Sequence, residues 1–220
     1  MALRSTPQLR NRPGGCAAAA LAREPLCSFA PAVCGRRMFS KRAPNLYSTC
    51  TMPFDIQPIL KGELLELRPL KPEDFHDLYA VASDPLIWEQ HPAQDRYKEC
   101  VFEQFFREAL ESGAALIAID SKDGRVIGSS RFHGYDEEKS EVEIGWTFLA
   151  RSHWGGVYNG EMKQLMIRHA FRFVSHVIFV VGPRNLRSQK AVEKIGGVRV
   201  GSRMDANGQN NFVYSLSRKE

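Results

Sequence analysis

Residues 146–163, WTFLARSHWGGVYNGEMK, constrain this chain most: an apolar strand end runs into Gly155-Gly156, and a helix follows with no linker. Met162, Leu165, Met166, His169, Ala170 and Phe173 recur at i, i+3, i+4, i+7 spacing, so the helix has one apolar face. Successive N–H groups in a Gly-rich turn at a helix N-terminus hold an anion without a charged side chain. A pyrophosphate is the natural guest. The same Gly-Gly also serves as a plain tight connection, and this stretch alone does not separate the two readings.

Around it the chain reads as alternating elements. Glu63–Leu70 predicts a strand with Leu65 and Leu67 on one face. Pro72-Glu73-Asp74 opens a helix whose buried side is Phe75, Leu78, Tyr79 and Ala82, stopped by Asp84-Pro85. Residues 87–91 form a short irregular piece, and Tyr97–Ser112 predicts an amphipathic helix with Val101, Phe105 and Leu110 inward, closed by Gly113. Strands follow at Ala115–Ile119, Val126–Phe132 and Glu141–Leu149, the first two joined by a turn over Ser121–Gly124. After a helix over 157–174, Val177–Val181 is a continuous apolar run, as expected of a strand buried on both faces. Asn185–Ile195 is a short helix, and Val198–Met204 and Phe212–Leu216 close a hairpin across Asn207-Gly208.

The basic character of the chain is confined to its start. Residues 1–51 hold eight basic side chains against the single acid Glu24, a surplus of seven, while the whole chain carries +5; residues 52–220 are therefore at −2. That balance removes the electrostatic case for nucleic acid. The Arg- and Ala-rich, acid-poor segment 1–51 fits a mitochondrial or plastid transit peptide. The alternative is a disordered leader ahead of a start at Met52, which would leave the protein cytoplasmic. Residues 52–220 are then expected to form one domain. Four of the five cysteines fall in the leader without paired spacing, and His133 and His153 have no ligand-like neighbours, so neither a disulfide framework nor a metal site is expected. No apolar run reaches membrane-spanning length.

Two motif regions carry a resemblance. Glu143-Ile144-Gly145-Trp146, followed by Trp154-Gly155-Gly156-Val157-Tyr158-Asn159-Gly160-Glu161, is similar to an acidic-Ile-Gly-aromatic strand and a Trp-Gly-x-Gly-Tyr-x-x-Glu loop. Asn185 to Gly196 is close to an Asn-x-x-Ser-x-x-x-x-x-Lys-x-Gly helix. Over roughly residues 60–217, these motifs and the element order resemble the GNAT N-acetyltransferase superfamily, most closely its ribosomal-protein-alanine-type acetyltransferases. The implied fold is α/β: a mostly antiparallel sheet flanked by helices and splayed between its fourth and fifth strands, here Glu141–Leu149 and Val177–Val181.

The resemblance implies acetyl-CoA as cosubstrate in that gap. Main-chain groups at Thr147, Phe148 and Leu149 would bond the pantetheine arm as an added strand. The Trp154 to Asn159 loop, through Gly155, Gly156, Val157, Tyr158 and Asn159, would hold the pyrophosphate, and Asn185 the other side of the pantetheine. Arg151, Lys163, Arg187 and Lys190 are candidates for the outer phosphates or are ordinary exposed charges. Four positions depart from the family pattern: Val157 replaces Gly or Ala, Ser152 replaces a Gln or Arg (with Arg151 one place off), Val192 replaces a tyrosine used as general acid, and Gly197 replaces an aromatic.

An amine must lose a proton to become a nucleophile, so a base is required. Glu143 is the candidate and Glu141, two residues earlier, the reserve; both also read as the polar face of a strand. By resemblance Ser188 would hydrogen-bond the leaving thiolate, but a serine there also caps a helix. His133, Tyr135, Trp88, His91 and Tyr158 are candidates to line the amine pocket. The expectation is an N-acetyltransferase acting on a small-molecule amine or a peptide N-terminus, with neither nucleic acid nor membrane as partner. The alternative, favoured by Val157 and Val192, is a non-catalytic acyl-CoA-binding module.

Overall fold

A computed structural model describes residues 53–206 and 208–218; the basic leader, and with it the targeting expectation, lies outside them. Strands β1 (Leu60–Lys61), β2 (Leu65–Pro69), β3 (Ala115–Asp120), β4 (Val126–Asp136), β5 (Glu141–Leu149), β6 (His176–Val181), β7 (Val198–Met204) and β8 (Asn210–Ser217) form one sheet. Its order is β1-β2-β3-β4-β5-β6-β8-β7. Among the described residues only β5 and β6 run parallel; every other neighbour is antiparallel. The two-residue β1 is too short to carry a pattern, so the strands expected as fourth and fifth are β5 and β6.

Helices α1 (Phe75–Ala82), α2 (Pro85–Trp88), α3 (Glu99–Glu111), α4 (Val157–Ala170) and α5 (Leu186–Lys194) flank the sheet. One core joins Leu65, Leu67, Phe132 and Ile144 to Met162 and Met166 of α4. The other joins Ile117 and Phe148 to Leu78, Trp88, Phe102, Phe105 and Phe106 of α1–α3. The buried stripe of α3 is Phe102, Phe105, Phe106 and Ala109, while Val101 and Leu110 flank it half-buried. Spacing explains the correction: 102, 105, 106 and 109 fall at i, i+3, i+4, i+7 and carry three aromatic rings. The α4 helix stops at Ala170, four residues short of the expected end, and the N–H groups of Phe173 and Val174 both return to the Ala170 carbonyl.

Two features of β5 shape the middle of the molecule. Arg131 of β4 faces Gly145 while Ser129 faces Phe148, so β5 holds one extra residue between these pairs. Trp146 takes φ 51° at this bulge. An extra residue reverses the alternation of the strand. Val142 and Ile144 face α4, then Trp146 and Phe148 face α1–α3, and Thr147 turns back toward α4. The second feature is the pairing with β6, which is confined to Glu141–Glu143 against His176–Ile178. Beyond those three pairs the strands part, leaving Ile144–Leu149 unpaired with Phe179–Val181 across a gap.

Candidate active site

The gap opens into a cavity of about 1220 Å³ whose lining includes Glu143, Thr147, Gly156, Asn159, Lys163 and Ser188. Its mouth is the turn singled out in the sequence. Gly155 takes φ 96° and Gly156, the N-cap of α4, takes φ 142°. The left-handed conformations thus fall on the two glycines, and Val157 is already the first helical residue. It is 70% exposed and does not fill the cavity. Among the described residues the amides of Gly155, Gly156, Val157, Tyr158 and Asn159 make no hydrogen bond within the protein; the ladder starts with Gly160 N–H donating to Gly156 O. Five free amides at a helix N-terminus can hold a diphosphate. A cation is also at hand, since Lys194 Nζ lies 3.6 Å from where a Cβ on Gly156 would stand.

The expected residues separate on inspection. Thr147, Phe148 and Leu149 border the gap, and the Leu149 carbonyl accepts a 2.9 Å bond from Trp154 Nε1. The Trp154 ring also carries the Arg187 guanidinium at 3.9 Å, so this indole braces the turn against α5. Asn185 is buried in the lining and its Oδ1 accepts from Ser188 N–H at 3.1 Å, capping α5. Ser188 itself lines the cavity. The Tyr158 hydroxyl donates to Asp120 at 3.3 Å, beside His153, which turns that ring away while leaving its amide free. Of the amine-pocket candidates, Trp88 and His91 line the cavity, whereas His133, Tyr135 and Tyr158 do not.

The basic residues fare differently. Arg151 pairs with Asp84, Arg187 is spent on Trp154 and Ile87 O, and Lys190 lies exposed on the lining. Lys163 is a correction: it is buried, with its Nζ donating to Thr147 Oγ1 and facing the Phe179 ring at 5.3 Å. Desolvation pulls its pKa down to about 7. Val192 is buried, and its Cγ1 lies 2.5 Å from a Cβ built on Gly197. An aromatic at 197 is therefore excluded by Val192 and its backbone. Lys194 was missed as a site residue although it stands in the Asn185 motif.

Of the two candidate bases Glu143 borders the cavity and Glu141 does not; Asp205 also stands on the lining. The Glu143 side chain is 12% exposed, and Arg203 Nη1 of β7 contacts its Oε2 at 3.2 Å. Burial raises the Glu143 pKa above the ordinary carboxylate value, and the Arg203 charge offsets part of that rise. By contrast, Glu161 of the loop motif is structural: its carboxylate accepts the amides of Glu63, Leu64 and Leu65 at 2.8–3.0 Å.

The acetyltransferase (GNAT) domain model matches residues 65–198, more than half of the chain. The chain belongs to the GNAT family. That family transfers acetyl groups from acetyl-CoA. Similar solved structures include a GNAT-family acetyltransferase from Bacillus anthracis, 20% identical at TM-score 0.61, covering 73% of this chain and 98% of that one. Mycobacterium smegmatis RimJ in complex with CoA-disulfide is 17% identical at TM-score 0.52, covering 70% and 81%. AAC(6')-Ib in complex with ribostamycin and coenzyme A is 22% identical at TM-score 0.57, covering 71% and 94%. At these identities the likeness shows the GNAT fold alone. Among curated proteins none matches this chain.

Proposed function

We propose that this GNAT chain acetylates a primary amine from acetyl-CoA, by direct attack with Glu143 as general base, as in the ribosomal-protein acetyltransferase branch. The observation that carries the reading is the set of five unpartnered amides, Gly155–Asn159, at the mouth of a strand gap that has a buried carboxylate on its wall. Acetyl-CoA would supply the thioester-activated acetyl group, held by those amides at its diphosphate and by the unpaired edges of β5 and β6 along its arm. Thr147, Phe148, Leu149 and Trp154 border that path, with Asn185 on the α5 side.

Glu143 takes the proton from the acceptor ammonium. Its raised pKa suits that task, because a base is most useful when its pKa approaches the working pH. Ser188 Oγ, on the cavity lining, donates toward the departing sulfur. The missing tyrosine at Val192 is then no loss of function, since a thiolate needs little assistance to leave. Acceptors of the reading are a small-molecule amine or a peptide N-terminus; AAC(6')-Ib, solved with ribostamycin, suggests the first kind, and a similar structure described as a ribosomal-protein-serine acetyltransferase from Vibrio cholerae suggests the second. Residues 52–220 act as one domain, and residues 1–51 as a mitochondrial targeting segment.

Titration of the full chain with acetyl-CoA tests the reading; no measurable binding sinks it. With binding in hand, Glu143→Gln is expected to lower acetyl transfer by about 100-fold or more while CoA affinity holds. Binding without transfer to any amine in a broad panel would leave an acyl-CoA-binding module in its place.

A further inference from the structure

The face of β4–β5 that carries Glu143 also gathers cationic donors that are in no ion pair among the described residues, with Glu108 acting on them only from a distance. Arg131 stands directly opposite Gly145, and Glu143 lies two residues before Gly145 on the same face. Diagonal neighbours of this kind are about 7–8 Å apart. Gly145 leaves the space between them open; a Cβ there would already be 3.4 Å from Glu143 Oε1. Arg131 is 6% exposed, its Nε has no hydrogen-bond partner, and among the described residues it is in no ion pair. Its guanidinium lies 4.8 Å from the Trp146 ring centre and 5.8 Å from that of Phe105, and it does not itself border the cavity, which Trp146 and Gly145 line.

Arg96 joins it from the other side. It lines the cavity, and its guanidinium lies over the same Phe105 ring at 4.5 Å and over Trp88 at 5.5 Å. It too is in no ion pair among the described residues. Burial, and then the charge of Arg131, push its pKa down to about 10, while Glu108 and Asp95 act on it only from a distance.

His91 adds a third donor. Its Nδ1 accepts the Ala93 N–H at 2.9 Å, and burial keeps the imidazole neutral, with a pKa of about 3. The ring proton therefore sits on Nε2, which lies 3.3 Å from Arg96 Nη1. Both atoms are donors, so neither satisfies the other.

We infer that Arg96, with the Nε2–H of His91, forms a carboxylate-binding subsite on the cavity wall, with the Arg131 charge behind it, so that the acceptor is an amine bearing a nearby carboxylate. Two sources share this chemistry: a free amino acid, and a peptide N-terminus beside an Asp or Glu side chain. Aromatic stacking occupies the flat faces of a guanidinium and leaves its in-plane N–H groups to be filled. A carboxylate fills them in the bidentate manner that arginine favours. The inference rests on reading the cavity as an acetyltransferase site, with the acceptor amine delivered to Glu143.

The test compares matched acceptors on the full chain saturated with CoA, read by calorimetric binding, and then by transfer with acetyl-CoA. One pair is serine against serinamide; the other is Ser-Asp-Ala-Ala-amide against Ser-Asn-Ala-Ala-amide. A preference of about tenfold or more for the carboxylate member is expected in one pair, and which pair shows it identifies the source. Arg96→Gln should bring that ratio toward one while CoA affinity holds, and Arg131→Gln, which removes only the charge behind the subsite, should lower it by a smaller factor. Equal binding of both members of both pairs by the wild-type chain overturns the inference, even if neither variant folds. So does a fall in CoA affinity in Arg96→Gln as large as the fall in discrimination, which would make Arg96 a donor-phosphate contact. Loss of this preference with acetyl-CoA binding and transfer intact leaves the proposed activity standing; absence of acetyl-CoA binding removes both.

Discussion

Lys163 Nζ donates to Thr147 Oγ1 across the gap between α4 and β5, and among the described residues no carboxylate is in ion-pair reach of it. A cation is thus sunk into the floor of the donor cleft against an aromatic face, with burial alone setting its pKa near 7. The unfolded chain holds that proton up to the ordinary lysine value of 10.5. Between about pH 7 and 10.5 the unfolded state therefore binds more protons, and stability from this group rises with pH through that window. Lys163→Met should remove that rise and stabilise the chain at pH 6 by on the order of a few kcal/mol, since Thr147 keeps its 2.8 Å bond to Ser130. Urea unfolding at pH 6 and pH 9 checks it; an unchanged pH slope in the variant would show that Lys163 is not buried as a cation.

Glu143 has the opposite sign. Its folded pKa is raised, so acetyl transfer should fall on the acidic side with a midpoint above 4.5, as the carboxylate takes up a proton. Arg203 favours the ionised form. Arg203→Ala should therefore move the acid limb of the kcat/KM profile to higher pH, by up to about a unit. A limb that stays in place, or that moves to lower pH, would separate Glu143 from the titration that controls the rate.

Free amides and one lysine are the proposed grip on the diphosphate, and they can be tested apart. Gly156→Val forces a β-branched side chain into φ 142° and should cost the turn its shape. CoA affinity is expected to fall about tenfold or more, with the far-ultraviolet circular dichroism unchanged. Lys194→Ala should weaken CoA several-fold yet leave the affinity for pantetheine, which has no diphosphate, as it was. Equal losses for CoA and pantetheine would place Lys194 elsewhere in the cleft.

The parts of this site that were readable from sequence are those in which residue type and backbone requirement coincide. Gly155-Gly156 announced a turn because only glycine takes those φ values cheaply, and the α4 stripe announced a helix. Side-chain direction at Trp146 could not be read, because one inserted residue reverses the alternation and only Gly145 hints at it. Lys163 looked like a surface charge, although 163, 166, 167, 170 and 174 all fall on buried positions and mark a second stripe beside the first. Arg131 likewise sits in a strand whose neighbours 127–132 are all buried, a place where an arginine must have a partner or a purpose. The Lys194–Gly156 proximity arises from two segments far apart in the chain, and no local pattern encodes it.

The motif glutamate marks the boundary between fold and chemistry. Glu161 takes three amides of the β1–β2 turn on one carboxylate, and a Cβ on Gly62 would lie 2.6 Å from its Cδ. Glu161→Ala strands three donors at once and should cost about 2–4 kcal/mol of stability, seen as a lowered urea midpoint with an unchanged slope. Below the unfolding transition, acetyl-CoA affinity should match that of the unaltered chain, because Glu161 faces the β1–β2 turn and does not border the cavity. Reduced acetyl-CoA affinity with an unaltered urea midpoint would instead put this carboxylate among the groups that hold the donor.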